Sequence, residues 1–193
     1  MKILNVFDAV RDGTFQDFKN FYEGNINVIS GNLDLNLLCM AVTNDKNPEE
    51  KLQIIKFLFA EGIDVNYATQ KEKRNALHLF YFCVLRPTIE YEMEITNLFI
   101  KHGMNVNATD KYNAIPLKYA ITINNLPTLD NKEMYQLLLN KGSDYNLKDG
   151  FGKSCLDYAK EYSWRNDFLD DEFTIEVQQM IKKKTHSLSP CKI

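Results

Sequence analysis

The chain has 193 residues, 45% of them hydrophobic and 25% charged, with a formal charge of −3 and a pI near 5.7. That balance is ordinary for a folded globular chain, and it excludes a general nucleic-acid binder, which carries a clear basic excess. No apolar run approaches the ~18 residues that cross a bilayer, and Asp8, Arg11 and Asp12 interrupt the amino terminus too early for a secretory signal.

In chain order, residues 3–12 and 15–23 read as two short helices divided by Gly13-Thr14, a shortened unit that closes near residue 27. A phrase then begins to recur. Leu38 stands in Asn-Leu-Leu-Cys-Met-Ala, Leu77 in Asn-Ala-Leu-His-Leu-Phe, Leu117 in Ile-Pro-Leu-Lys-Tyr-Ala and Leu156 in Ser-Cys-Leu-Asp-Tyr-Ala, at steps of 39, 40 and 39 residues. A second phrase keeps the same period: Gly62-Ile63-Asp64-Val65-Asn66, Gly103-Met104-Asn105-Val106-Asn107 and Gly142-Ser143-Asp144-Tyr145-Asn146. Two phrases on one period are an internal repeat, and a repeat sets the fold class before local propensity does.

Each unit reads as helix, loop, helix, turn. In the second, a helix over 75–85 is broken by Arg86-Pro87-Thr88, since proline cannot continue a helix and restricts its predecessor. A helix over about 89–102 follows, with Ile95, Leu98 and Phe99 at helical spacing, and Gly103 ends it, as Gly62 and Gly142 end their neighbours. The third unit repeats the order, with a helix over 117–124 opened by Pro116, a break at Pro127 and a helix over 131–141. Segments 64–75, 105–115 and 144–154 hold turn-forming residues and read as short hairpin-like fingers. The last unit comprises 154–162, then 164–171, then a helix over 172–184; residues 185–193 lack periodicity and are expected to be disordered.

These phrases resemble the ankyrin repeat, with its Thr-Pro-Leu-His-x-Ala signature on a period of 33. The four signature positions are Asn36-Leu37-Leu38-Cys39, Asn75-Ala76-Leu77-His78, Ile115-Pro116-Leu117-Lys118 and Ser154-Cys155-Leu156-Asp157, and the Gly-x-Asp/Asn-x-Asn phrases look like that repeat's helix ending. The resemblance implies an all-α solenoid with short hairpin fingers: one domain over 1–184, capped by 1–27 and 147–184, with repeats 28–67, 68–107 and 108–146. Two departures stand out. The period is lengthened by additions between the helices at 44–50, 85–91 and 124–131, expected to form an edge opposite the fingers. The finger Gln70-Lys71-Glu72-Lys73-Arg74 is one residue longer and has no glycine.

Stacked helix pairs bury one another's apolar faces. Leu38, Leu77, Leu117 and Leu156 are the expected inner core, with Ile55, Leu58, Leu98, Phe99, Leu137 and Leu138 from the outer helices. Two positions after each signature leucine, Met40, Leu79, Tyr119 and Tyr158 are expected to face a concave groove, with Tyr162 and Trp164 extending the row. Aromatic side chains of this kind anchor protein interfaces; the competing reading is burial between repeats, strongest for Met40 and Leu79. Finger residues Lys71, Lys73, Arg74, Lys111, Tyr112, Phe151 and Lys153 form a second candidate contact set, against the plain reading of a solvated surface.

Catalytic readings are weak. His78 at the signature position is expected to bond turn backbone, His102 to sit at a helix end and His186 to lie in the tail. Asp170-Asp171-Glu172 reads as negative charge at the start of a last helix, balanced by Lys182-Lys183-Lys184 at its end. No metal-ligand spacing, nucleophile elbow or phosphate-cradling glycine loop occurs, so no cofactor or metal is expected. Cys39, Cys83, Cys155 and Cys191 lie far apart without a Cys-x-x-Cys pair, the pattern of reduced thiols in a cytoplasmic protein. The resemblance thus implies a non-catalytic module, monomeric alone, that binds another protein through its concave face and finger tips, and neither nucleic acid, membrane nor a small-molecule substrate. The alternative is a bacterial immunity or antitoxin-type protein that neutralises one toxin by direct binding.

Overall fold

A computed structural model describes residues 2–84, 88–123 and 128–162. Nine α-helices form among them, in two rows. The inner row is α1 (Val6–Asp12), α3 (Leu37–Ala41), α5 (Ala76–Phe82), α7 (Pro116–Ile123) and α9 (Cys155–Glu161). The outer row is α2 (Phe15–Phe21), α4 (Pro48–Ala60), α6 (Ile89–Lys101) and α8 (Lys132–Asn140), the last preceded by a 3-10 turn at Thr128–Asn131. Within each row every helix touches the next, α1 to α3 to α5 to α7 to α9 and α2 to α4 to α6 to α8. The result is the all-α repeat solenoid that the period implies. The expected segments 163–171 and 172–184, the tail 185–193, and with them Trp164, His186 and Cys191, lie outside the described residues.

Local chemistry explains where the helices begin and end. Thr14, Asn75 and Ser154 each cap a helix and close a reciprocal box with the third helical residue, Asp17, His78 and Asp157. Such boxes satisfy two of the donors that a helix start leaves unpaired. At the other end Gly62, Gly103 and Gly142 adopt φ of +79°, +88° and +88°, where a Cβ is penalised, and turn the chain back so that Ile63, Met104 and Ser143 donate to carbonyls inside the preceding helix. Part of each added segment is helical rather than loop, since α4 starts at Pro48 and α6 at Ile89. The remaining loop, 43–47, clamps the α1–α2 turn: Asn44 donates to the Arg11 carbonyl and Asn47 to those of Asp12 and Gly13. Under it the Lys51 ammonium is buried and donates to the Asn44 carbonyl at 2.9 Å, and burial lowers its pKa to about 8.

Leu38, Leu77 and Leu117 are fully buried, as are Ile55, Leu58, Phe99 and Leu138. Leu98, Leu137 and Leu156 are only half-buried. Consecutive helical side chains diverge by about 100°, so Leu98 and Leu137 cannot share the inward direction taken by Phe99 and Leu138. Leu156 lies on α9, which has an inner-row neighbour on one side only among the described residues. Two tyrosines add to the core. Tyr81 and Tyr135 are fully buried, and their hydroxyls reach across each helix pair to Thr96 Oγ1 (2.7 Å) and the Ala120 carbonyl (3.3 Å).

The second recurring phrase does more than end helices. Asn66 donates to the Gly103 carbonyl (3.0 Å) and accepts from the Asn105 amide (3.0 Å). Asn107 does the same one repeat on, with Gly142 (2.7 Å) and Asp144 (2.8 Å), and Asn27 accepts from the Asp64 amide (2.8 Å). One amide side chain supplies both a donor and an acceptor, so each asparagine stitches its turn to the next.

The fingers are tight turns. Thr69, Asp110 and Asp149 donate their amides to the carbonyls of Arg74, Ala114 and Lys153 at 2.9–3.0 Å. Each turn needs one left-handed residue, filled by Lys73 (φ 55°), Asn113 (56°) and Gly152 (76°), so the longer finger at 69–74, whose closing bond spans one residue more, takes a lysine there. Neighbouring fingers are joined by backbone, Lys111 N–H to the Glu72 carbonyl (2.9 Å) and Gly150 N–H to the Tyr112 carbonyl (2.6 Å). At Gly150 a Cβ would stand 3.1 Å from that carbonyl oxygen, so this approach favours glycine.

Candidate functional site

The candidate surface is built from the fingers and the adjoining flank of the inner helices. Asp110 and Asp149, the buried first residues of their turns, brace the fingers. Asp110 Oδ1 accepts from the amides of Tyr112 and Ala114, and Asp149 Oδ1 from those of Phe151 and Lys153. The other carboxylate oxygen of each takes the hydroxyl of the tyrosine nine residues on, Tyr119 and Tyr158. Burial first, then the aspartate, raises both phenol pKa values, that of Tyr119 to about 12. The two preceding fingers carry Ser30 and Thr69 at the equivalent place, and their inner helices carry Met40 and Leu79, which have no hydroxyl to offer.

Position two after the signature leucine is therefore not a free groove position. Met40 is 1% exposed and Tyr119 3% exposed; Leu79 and Tyr158 are half-buried against the core. The expectation that these side chains face outward is corrected for Met40 and Tyr119, which are buried, because the position can lean on the preceding inner helix; Leu79 and Tyr158 keep part of their surface in water. The Tyr119 ring meets His78 (6.0 Å) and Phe82 (5.6 Å) of α5 edge-on. Tyr162 is half-buried just past the end of α9.

What covers the rings is a run of cations. The Arg74 guanidinium sits between Phe82 (4.5 Å) and Tyr119 (5.1 Å), and the Lys118 ammonium between Tyr119 (4.5 Å) and Tyr158 (5.1 Å). Lys153 lies 5.5 Å from the centroid of the Tyr158 ring. Ring and cation thus alternate across three repeats, an attractive arrangement for a ring quadrupole. Arg74 is held by Asp110 (3.5 Å) and the Tyr119 hydroxyl (3.1 Å), and Lys153 by Glu161 (2.6 Å). Burial works against the Arg74 charge, but the bond to Tyr119 and the charge of Asp110 outweigh it and raise its pKa.

On the fingers, Tyr112 and Phe151 stack at 6.1 Å with 23° between ring planes, and remain 40% and 70% exposed. Lys111 lies 4.8 Å from the Tyr112 ring and pairs with Glu72 at 2.6 Å. Lys71 and Lys73 are exposed. Sequence reasoning missed Phe82 and Lys118. The signals for the network were present: an aspartate–tyrosine spacing of nine in the last two units, and a lysine where three other helices place a capping side chain.

His78 is structural, as its position implies. Its Nδ1 accepts from the Asn75 amide (3.3 Å) and its Nε2 donates to the Ala114 carbonyl of the next repeat (3.0 Å), the assignment that satisfies both groups. Burial lowers its pKa to about 4. Burial likewise pushes the Cys39 and Cys155 thiols up to about 12, far from the thiolate form that reacts. Among the described residues no three His, Cys, Asp or Glu side chains converge where a metal ion would fit, and no helix is long and apolar enough to cross a membrane.

Comparison with known proteins agrees with the architecture. Residues 38–149 match the family described as ankyrin repeats (3 copies), and the chain belongs to the ankyrin-repeat family. Over 125 residues it is 27% identical to the E3 ubiquitin-protein ligase KEG of Arabidopsis thaliana, covering 64% of this chain and 7% of that protein. Over 109 residues it is 29% identical to ankyrin repeat protein B18 of Vaccinia virus (strain Ankara) and of Variola virus, covering 51% of this chain and 18% of each relative. The chain thus spans a small part of the relatives it matches. Ankyrin repeats are in general protein-binding, non-catalytic modules.

Proposed function

We propose that this chain binds a partner protein through its finger tips and the adjoining flank of the inner helices. The observation that carries the reading is the Tyr112–Phe151 stack. Two stacked aromatic rings are exposed, Phe151 more than Tyr112, yet both are mounted on fingers fixed by backbone bonds and by the Asp110 and Asp149 braces. Rigid exposed aromatics lose little entropy on binding and bury large area, the properties of interface anchors. Tyr119 supports this surface from beneath through Asp110; Lys71, Lys73, Arg74, Lys111 and Lys153 border it. The cytoplasm fits the reading, since three described cysteines are free thiols. The narrower role of a toxin-neutralising immunity protein rests on composition alone, and no described side chain favours a toxin over another protein.

The test is affinity capture from the native cell with the wild-type chain, then with Tyr112→Ala, Phe151→Ala and the outer-row control Lys101→Ala. Each aromatic truncation should weaken capture of the same partner by at least about 1–2 kcal/mol, as for a true anchor. Equal capture by all four chains would overturn the reading.

A further inference from the structure

Lys118 breaks three local rules at once. It is the third residue of α7, the place where α2, α5 and α9 carry Asp17, His78 and Asp157 to close a capping box. A lysine can only donate, so no such box can form. Its charge also opposes the positive end of the helix dipole. The side chain is half-buried, and no carboxylate lies within 4 Å among the described residues. Desolvation lowers its pKa, and the charges of Asp149 and Asp110 raise it without making up that loss. The cation–π contacts with the Tyr119 and Tyr158 rings hold the charge but satisfy none of its hydrogen-bond donors. Positions that violate local preference concentrate at functional sites.

The surroundings share its sign. The turn portions of the fingers, 68–75, 108–115 and 147–154, carry six cations against three carboxylates in a chain whose net charge is −3, while Asp64 and Asp144 lie before the turns, in the segments that end the outer helices. Two of those carboxylates, Asp110 and Asp149, are buried against backbone amides, and the third, Glu72, is tied to Lys111. Lys71, Lys73 and Lys148 stay exposed, with no carboxylate within 4 Å among the described residues. Among the outer helices only α6 is net acidic, with Glu90, Glu92 and Glu94 against Lys101, while α4 balances Glu49 and Glu50 with Lys51 and Lys56.

We propose that the surface receives an acidic polypeptide segment of the partner, which sets a carboxylate on the Lys118 ammonium and an apolar side chain on the Tyr112–Phe151 stack. The proposal rests on the reading that this surface is the docking site. A polypeptide fits better than a nucleic acid strand, because the chain's net charge of −3 does not attract a dense polyanion, while a few carboxylates spaced along a peptide, with an apolar side chain among them, meet single lysines set beside exposed rings.

A random peptide library displayed against the immobilised full chain tests it, with selected peptides measured by fluorescence anisotropy at low and high salt. The expected peptides are rich in Asp and Glu around an apolar residue. Their affinity should fall with salt, and fall at least tenfold in Lys118→Glu and in Lys71→Glu/Lys73→Glu, but not in the outer-row control Lys56→Glu. Lys118→Asp should also lose binding yet melt at or above the wild-type temperature, which separates lost recognition from lost folding. Neutral or basic peptides that still depend on Phe151 overturn the acidic partner and leave the docking surface standing. Peptides indifferent to both Phe151→Ala and Lys118→Glu overturn the docking surface itself. A single-stranded oligonucleotide that binds more tightly than any selected peptide, or a library that yields no binder, also overturns the proposal.

Discussion

His78 should make this protein's stability fall with acid earlier than carboxylates alone would. Buried and neutral, it links the start of α5 to the Ala114 carbonyl of the following finger, and its pKa drops from the ordinary 6.5 to about 4. The unfolded chain therefore takes up a proton between pH 6.5 and 4 that the folded chain refuses. Stability is fully present above pH 6.5, is lost as pH falls through that window, and changes no further below about 4. At about 1.36 kcal/mol per unit of pKa difference, the loss is about 2 kcal/mol by pH 5 and about 3 kcal/mol by pH 4. Urea melts of the wild type and of His78→Gln at half-unit steps from pH 7 to 4 give the difference directly, because the lowered carboxylates such as Asp12 act in both chains. The wild-type curve should drop more steeply between pH 6.5 and 5 and approach the variant. Parallel curves across that interval would refute the buried, neutral histidine.

Other substitutions examine the remaining parts of the fold. Leu117→Ala should cost about 2–5 kcal/mol in denaturant melts, the range for a fully buried leucine whose site cannot collapse; a loss under about 0.5 kcal/mol would contradict its place in the core. Asn107→Ala removes the donor and the acceptor that join consecutive turns and should cost about 1–2 kcal/mol, measured the same way. Tyr119→Phe deletes only the hydroxyl shared by Asp110 and Arg74, and should cost about 1.5–3 kcal/mol as a bond to charged groups. Lower amide protection in finger 108–115 should accompany it, and unchanged exchange there would refute the brace.

The fold was legible because burial repeats: the same leucine and the same helix-ending glycine return in register, and Leu38, Leu77 and Leu117 occupy equivalent interior places. Direction around the helix was less legible. Spacing from Leu117 correctly placed Tyr119 on another side of the helix, but which side is solvent depends on the neighbouring helix, and α5 covers it. The aspartate–tyrosine braces depend on two residues from different elements, so neither alone signals the bond. Exposure of Phe151 and Tyr112, in contrast, followed from turn chemistry, which keeps finger tips in water. Lys118 stood in plain view beside a signature leucine, and only the capping partners of the other helices reveal that it is misplaced for stability.

The claim that the fingers and inner flank form the docking surface is tested most directly by amide hydrogen exchange on the complex with a captured partner protein. Protection relative to the free chain should concentrate in residues 108–119 and 147–158, with the outer helices Pro48–Ala60, Ile89–Lys101 and Lys132–Asn140 unchanged. Protection confined to those outer helices would contradict it.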